Sequence, residues 1–238
     1  MSIDEEGEET HMRKTKALLF SVVAASLLLA AGPALAEMGG EVNLFLGQKQ
    51  LSDENLDDLE DFTGLDLADQ SEYGLAFSFG NVDWPVAIAI DLLMADSDDS
   101  YVYDDDPFFY RYTLEIETTE LNAGVRKFWQ VNDKFEPYIG GGFAWVKAEV
   151  TEKYYEEFPV TKQGTFSDSY SVDDSAIGFF LNGGAMWRFN DKLSLGLDLR
   201  YTDAEVEFDD IEFEDKQESS ADFDAGGFHY GILFGYRW

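Results

Sequence analysis

The feature that most constrains the fold is a strict alternation of apolar and polar residues. It is clearest from Leu193 to Tyr201, where every second residue is Leu or Tyr and the residues between them are Ser, Gly, Asp and Arg. Successive side chains of a β-strand point to opposite sides, so this segment has one apolar side and one polar side. The same pattern recurs along the chain and indicates an all-β protein.

Eight such segments occur, and their number is even. They lie at residues 41–50, 71–81, 85–95, 112–129, 137–150, 174–189, 193–207 and 223–238. Outside the N-terminus, no apolar run approaches the roughly 20 residues that a membrane helix needs. One alternating strand fits a soluble sandwich as well as a barrel in lipid, because both need one apolar face.

The connections between these segments distinguish the two architectures. Short connections lie at 81–84, 130–136 and 190–192, whereas long ones lie near 51–70, 96–111, 151–173 and 208–222. Strictly alternating lengths place the short turns on one rim and the long loops on the other. Outer-membrane barrels have this asymmetry. The pattern predicts an eight-stranded antiparallel up-and-down transmembrane β-barrel with both ends of the chain at the short-turn rim.

The N-terminus has the pattern of an export signal. Within residues 12–36, basic residues precede an apolar run, and Ala34 and Ala36 supply the small side chains that a signal peptidase accepts. Cleavage after Ala36 would make Glu37 the mature N-terminus. The acidic residues 1–11 are interpreted as a mis-called extension, and residues 37–238 are expected to form one barrel domain.

Charge and cysteine content exclude several functions. The net charge is −33, with 49 acidic and 16 basic residues, so the surface should repel nucleic acid. The absence of cysteine excludes disulfides, thiol nucleophiles and zinc-thiolate sites. Acidic loops suit hard cations such as Ca²⁺, and the weak candidate ligands are Asp98, Asp99, Asp104, Asp105 and Asp106. Their spacing is not that of a calcium-binding loop, so solvated loops are the alternative. No cofactor is expected.

Polar residues on the side opposite the apolar one predict a charged barrel interior. The expected interior residues are Asp91, Arg126, Asn182, Arg188, Asp198 and Arg200. An eight-stranded barrel is filled by side chains, so these residues are interpreted as a salt-bridged plug, with a narrow pore lining as the alternative. The same parity places His229 in the lumen as a structural residue.

The final segment resembles a known family signature. Every second residue from Phe228 to Trp238 is aromatic or Ile, and the chain as given stops at Trp238. This resembles the C-terminal strand of outer-membrane β-barrels, in particular the OmpA transmembrane domain and OmpX-like small barrels. The resemblance implies that the barrel-assembly machinery recognises Phe234, Tyr236 and Trp238.

The resemblance also implies the location and the classes of function. It places the protein in the bacterial outer membrane with its long loops extracellular, as a monomer that contacts lipid and lipopolysaccharide. A non-enzymatic structural or surface-interaction role is expected. The alternatives are an OmpW-like passive carrier for small hydrophobic molecules and a lipid-modifying enzyme, for which no nucleophile and base are recognisable.

Overall fold

The described residues form ten β-strands. The computed structural model describes residues 39–52, 56, 64–80, 84–105, 108–157, 165–208 and 221–238. The strands are β1 Gly39–Leu51, β2 Asp69–Gly80, β3 Ala87–Asp105, β4 Phe108–Phe128, β5 Phe135–Glu157, β6 Thr165–Arg188, β7 Leu193–Asp203, β8 Glu205–Phe208, β9 Ala221–Asp224 and β10 Gly227–Arg237. No helix within these ranges is long and apolar enough to cross a membrane. The predicted export signal and its cleavage site at Ala34, Ala36 and Glu37 lie outside the described residues.

Eight of the ten strands close into a barrel. Their order around it is β1, β10, β7, β6, β5, β4, β3 and β2, and every neighbouring pair is antiparallel. Strand β1 pairs with both β2 and β10, which leaves no free edge in the barrel. The predicted eight-stranded antiparallel barrel is confirmed.

Two short turns at one rim have the same chemistry. The sequences Asn132-Asp133-Lys134 and Asn190-Asp191-Lys192 connect β4 to β5 and β6 to β7. In each turn the Asn side-chain oxygen accepts hydrogen bonds, 2.9 Å long, from the backbone N–H groups two and three residues later. This local bonding favours a tight turn, because the side chain replaces a backbone acceptor. The predicted turn at 81–84 lies outside the described residues except for Trp84.

The predicted long loops at 96–111 and 151–173 are wrong, because most of these residues are in strands. Strands β3 and β4 stay paired up to Asp105 opposite Phe108, and β5 and β6 stay paired up to Glu157 opposite Thr165. The many Asp residues suggested loops, since Asp is disfavoured in strands. In the structure the hairpin partners satisfy the backbone, while the acidic side chains remain in solvent.

The predicted segments 193–207 and 223–238 are not single barrel strands in the structure. Residues 205–208 and 221–224 leave the barrel and form a separate two-stranded sheet, β8 with β9. The chain returns to the barrel at Gly226, whose N–H donates to the oxygen of Ala204 at 3.1 Å. Gly227 then adopts a φ of +148°, and a Cβ there would lie 2.1 Å from the Gln50 oxygen. Only glycine fits this close approach.

The barrel is apolar outside and mixed inside. Strands β7 and β10 have 11 residues each, which matches the 9–11 residues of a tilted transmembrane strand. Their outward side chains are exposed, and those of the neighbouring strands continue them into an apolar belt. The belt includes Leu44, Leu46, Ile88, Ile90, Leu121, Val125, Ile139, Phe143, Ile177, Phe179, Leu181, Leu197, Leu199, Ile232 and Phe234. Exposed apolar surface of this extent is what a lipid-facing barrel presents.

Candidate functional site

The centre of the lumen holds a layer of paired charges. Asp91 Oδ2 accepts hydrogen bonds from Arg126 Nη2 at 2.8 Å and from Arg200 Nη2 at 2.5 Å. Asp198 accepts hydrogen bonds from Tyr138 and, at 2.9 Å, from Asn182. All of these side chains are buried. Two carboxylates therefore face two guanidinium groups, which is the arrangement that makes burial of charge tolerable.

A second polar layer lies next to the first, towards the long-hairpin rim. Lys49 Nζ is 2.7 Å from Glu120 Oε1 and donates to the oxygen of Ala225 at 2.7 Å. His229 Nδ1 is 2.8 Å from Glu72 Oε1, and its Nε2 is 3.5 Å from Glu120 Oε1. All four ionisable side chains are almost completely inaccessible to solvent. The alternation in the sequence predicted that His229 faces the lumen, and the structure places it there beside the carboxylates of Glu72 and Glu120.

A third charged cluster lies at the short-turn rim. Arg237 Nη2 contacts Glu41 Oε2 at 2.7 Å and Glu136 Oε2 at 3.0 Å, and Arg188 also pairs with Glu136. Arg188 was expected in one interior network with Asp91, but it belongs to this separate cluster. The reason is its place at the end of β6, beside the turn at Asn190. A cavity of about 480 Å³ opens at this rim and reaches Arg126.

Apolar layers separate and cover the charged ones. Near the centre, Phe45, Leu93, Tyr138, Met186 and Leu233 pack together. Towards the long-hairpin rim a larger apolar cluster fills the mouth of the barrel. It comprises Leu51, Leu56, Leu65, Leu67, Leu114, Ile116, Ala144, Val146, Ala148, Phe180, Ala204, Val206, Phe223 and Ala225. Beyond the cavity at the short-turn rim, the described lumen is thus occupied by side chains up to the mouth of the barrel.

The candidate calcium ligands do not converge. Asp98 and Asp104 lie on one side of β3 and Asp99 lies on the other, because side chains alternate along a strand. Asp99 accepts hydrogen bonds from the backbone N–H groups of Asp66 and Ser100. Asp106 and the side chain of Asp105 are outside the described part of the structure. Among the described residues, no group of three or more His, Asp or Glu side chains is arranged to hold a metal ion.

Four strands continue beyond the apolar belt. Strands β5 and β6 have 23 and 24 residues, about twice the length of β7. The extra 12 residues extend about 40 Å along the strand at about 3.3 Å per residue. With the paired ends of β3 and β4, they form one four-stranded sheet on one side of the barrel mouth. We call residues 97–105, 108–118, 147–157 and 165–176 the projecting wall.

The two faces of the projecting wall differ. The outer face carries ion pairs, such as Lys153 Nζ with Glu115 Oε2 at 3.0 Å and Lys147 Nζ with Asp173 Oδ2 at 3.0 Å. The inner face is continuous with the lumen and is rich in tyrosine. There the rings of Tyr112 and Tyr154 lie 5.1 Å apart. This aromatic face was not anticipated, although the spacing of tyrosines at 101, 103, 110 and 112 indicates strands in which the tyrosines share one side.

The phenol of Tyr154 has a raised pKa. Its hydroxyl donates to Glu152 Oε2 at 2.9 Å. Burial, followed by this hydrogen bond to a carboxylate, raises the pKa of Tyr154 to about 12. Burial and the nearby charge of Glu152 also raise the pKa of Tyr112. These two phenols therefore keep their protons in the folded wall at a pH at which the unfolded chain releases them, near pH 10. Their contribution to the free energy of unfolding is complete below pH 10 and is lost as the pH rises towards 12.

We expect Glu152→Gln to lower the pKa of Tyr154 towards 10, because the carboxylate that favours the neutral phenol is gone. The measurement is an ultraviolet absorbance titration of phenolate between pH 9 and 13 on the folded barrel. Tyr154→Phe identifies the phenol that shifts, and Glu149→Gln on the outer face is the matched control. An unchanged titration in Glu152→Gln would contradict the assigned contact.

The comparisons with known proteins agree with this architecture. A family model described as an outer membrane protein beta-barrel domain matches residues 21–237. The outer membrane protein OprG from Pseudomonas aeruginosa has a similar structure, with a TM-score of 0.54 and 14% sequence identity over 84% of this chain and 95% of that chain. At this identity the similarity concerns the fold. A search among curated proteins finds no significant match.

Two further solved structures are similar at lower scores. Neisserial surface protein A has a TM-score of 0.40 and 11% identity over 84% of this chain and 96% of that chain. Outer membrane protein W of E. coli has a TM-score of 0.34 and 13% identity over 84% of this chain and 98% of that chain.

Proposed function

Because this chain belongs to the outer membrane protein β-barrel domain family, we propose that it is a closed, non-enzymatic barrel that presents the projecting wall outside a bacterial cell. In this proposal the short turns at Asn132 and Asn190 face the periplasm. The apolar belt lies in the lipid, and the wall extends from the cell into the medium. Contact with lipopolysaccharide and a monomeric state are part of the same proposal.

The filled lumen is the observation that carries this proposal. Asp91 and Asp198 balance the charges of Arg126 and Arg200 at the centre, and the apolar cluster covers the mouth of the barrel. An ion that crossed the lumen would have to break buried ion pairs and enter an apolar layer, both of which are costly. His229 is held between Glu72 and Glu120 inside the barrel, which supports a structural role for this histidine.

The absence of cysteine gives a direct test of orientation. Ser100→Cys places a single thiol on the wall, and Asp191→Cys places one in a short turn. A membrane-impermeant maleimide should label Ser100→Cys on intact cells and Asp191→Cys only after permeabilisation. Outer-membrane fractionation and electrophoresis of heated and unheated samples establish that each variant is a folded barrel. The reverse labelling pattern, or stepwise conductance in planar bilayers, would overturn the proposal.

A second candidate is a passive carrier for small hydrophobic molecules, as in OmpW-like barrels. The observation that favours it is the apolar cluster at the mouth of the lumen, which includes Val146, Phe180 and Val206. If the protein is a carrier, Val146→Lys should slow uptake of a small apolar compound by cells when uptake is measured relative to the amount of folded barrel in their membranes. Equal uptake by cells with and without the protein would remove this candidate.

The C-terminal strand is the proposed recognition element for barrel assembly. Phe234 and Tyr236 are exposed on the lipid-facing side. The ring of Trp238 covers Gly40, where an added Cβ would lie 2.2 Å from ring atom Cζ2, and the backbone N–H of Trp238 donates to the backbone oxygen of Gly40 at 3.1 Å. The aromatic residues thus have both an interfacial and a local packing role.

We expect the double variant Tyr236→Ser/Trp238→Ser to accumulate unfolded in the periplasm while still refolding in detergent. The loss of two rings removes some interfacial stabilisation, but the larger effect is on recognition by the assembly machinery. The matched control is Phe228→Ser/Tyr230→Ser, which removes two aromatic rings from the same face of β10 at its other end. Surface display of both double variants at the same level would exclude the recognition role.

A further inference from the structure

The inner face of the projecting wall is a regular lattice of side chains. Residues directly opposite each other on neighbouring strands point to the same side of a sheet. The registers of β3 with β4, β4 with β5, and β5 with β6 therefore define rows across the wall. From the free end, three rows are Tyr103, Tyr110, Glu156 and Phe166; Tyr101, Tyr112, Tyr154 and Asp168; and Asp99, Leu114, Glu152 and Tyr170.

This face combines aromatic rings with carboxylates. The three rows contain six tyrosines, one phenylalanine, one leucine and four acids, and no basic residue. The basic residues of the described wall are Arg111, Lys147 and Lys153, and all three lie on the outer face by strand parity. Each is engaged there, Lys147 and Lys153 with acids and Arg111 over the ring of Phe109. Within the described part of the chain, the inner face thus carries carboxylates with no basic residue of the wall beside them.

The covered and open parts of this face can be distinguished. Near the barrel mouth, Asp99 and Asp174 accept backbone hydrogen bonds from Asp66 and Glu207, so these acids hold the segments that cover the apolar cluster. Elsewhere on this face, four aromatic side chains are about half exposed to solvent. Their exposed fractions are 49% for Tyr101, 49% for Tyr103, 57% for Phe166 and 51% for Tyr170.

We propose that the inner face of the projecting wall docks an extended basic peptide that carries Lys or Arg at alternate positions. This inference rests on the proposed orientation of the wall towards the medium. Tyrosine rings attract Lys and Arg side chains through cation–π interactions, and adjacent carboxylates pair with the same charges. A strongly acidic protein also attracts such a partner over a distance.

The spacing of the lattice favours an extended chain. Side chains on one side of a β-strand repeat every second residue, which is about 6.8 Å. The rows of the wall repeat at the same interval, because they too are formed by every second residue of each strand. A peptide lying along the strands would therefore place alternate basic side chains in register with Glu152, Glu156 and Asp168.

The test uses the purified full barrel in lipid nanodiscs and a fluorescent twelve-residue peptide of alternating Lys and Thr. Glu152→Gln/Asp168→Asn removes two charges from the inner face, and Glu149→Gln/Asp173→Asn removes two from the outer face of the same strands. We expect the inner pair to weaken peptide binding about five- to tenfold at low salt and the outer pair to change it less than about twofold. Equal weakening by both pairs would mean unspecific attraction and would overturn the proposal.

The aromatic contribution has its own matched pair. Tyr101→Ser/Tyr170→Ser removes two inner rings, and Phe109→Ser/Tyr155→Ser removes two outer rings. Only the inner variant should weaken binding. No binding of the peptide, or its displacement by spermine at equal charge concentration, would also overturn the proposal. Binding is measured on barrels that shift on unheated gels, so a failure here is distinct from a failure of the cysteine-labelling test of orientation.

Discussion

Replacing Asp91 by Ala is expected to destabilise the barrel by about 3 to 5 kcal/mol, the cost of leaving buried charges without their partner. Asp91 is the shared acceptor for Arg126 and Arg200, and all three side chains are at most 3% exposed. The two guanidinium groups would then repel each other in a site with very little access to solvent. Urea unfolding of the barrel in lipid vesicles, followed by tryptophan fluorescence, measures the free energy of unfolding.

Two further variants show whether the cost of Asp91→Ala comes from the unpaired arginines that remain or from the loss of the ion pairs themselves. Asp191→Ala removes an exposed acid from the β6–β7 turn and should change the free energy of unfolding by less than about 0.5 kcal/mol. In an Asp198→Asn background, the triple variant Asp91→Leu/Arg126→Met/Arg200→Met leaves none of the four central charges and should cost less than Asp91→Ala alone. If the triple variant is the least stable of the three, the ion pairs themselves stabilise the barrel.

Replacing Leu197 by Arg is expected to cost about 2 to 4 kcal/mol, because this residue lies on the lipid-facing side near the middle of the apolar belt. Leu197 is 63% exposed and lies between Ala185 of β6 and Ile232 of β10. An arginine there must reach the interface or draw water into the hydrocarbon. The measurement is equilibrium unfolding of protein refolded into vesicles.

Depth in the membrane supplies the control for this prediction. Leu193 has the same orientation as Leu197 but begins β7 beside the short turn, at the edge of the belt. Leu193→Arg should therefore cost only about 0 to 1 kcal/mol. Equal costs at the two positions would show that these leucines do not span a gradient from interface to hydrocarbon.

The alternation in the sequence was sufficient to predict the faces of the strands, whereas the prediction of the barrel also needed the short and long connections. From Leu193 to Tyr201 the odd-numbered residues face outwards and the even-numbered residues face inwards, as the pattern indicates. The same parity places Asp91, Arg126, Asn182, Asp198 and Arg200 inside the lumen. Odd and even positions predict the direction of the side chains because each strand has only two sides and only the apolar side can face lipid.

The lengths of the strands beyond the membrane did not follow from the sequence. Between Asp96 and Arg111, and between Thr151 and Asp173, the composition resembles that of a loop. Strand formation there depends on the partner strand, which supplies the backbone hydrogen bonds at a site where both faces meet solvent. The inner tyrosine face of the wall exists only because β4 and β5 stay in register up to Phe109 opposite Glu157.

The sequence by itself determined the class of the fold, the number of barrel strands and the side of each strand that meets lipid, because these depend on a local period of two. The tertiary structure alone decided which interior charges meet. Asp91 pairs with Arg126, 35 positions away, and with Arg200, 109 positions away. Arg188 also faces the lumen, but it lies nearer the rim than Asn182, the residue of β6 opposite Arg200, and it pairs with Glu136 there. Such pairings depend on how the closed strands are staggered, and the period of a single strand carries no information about that stagger.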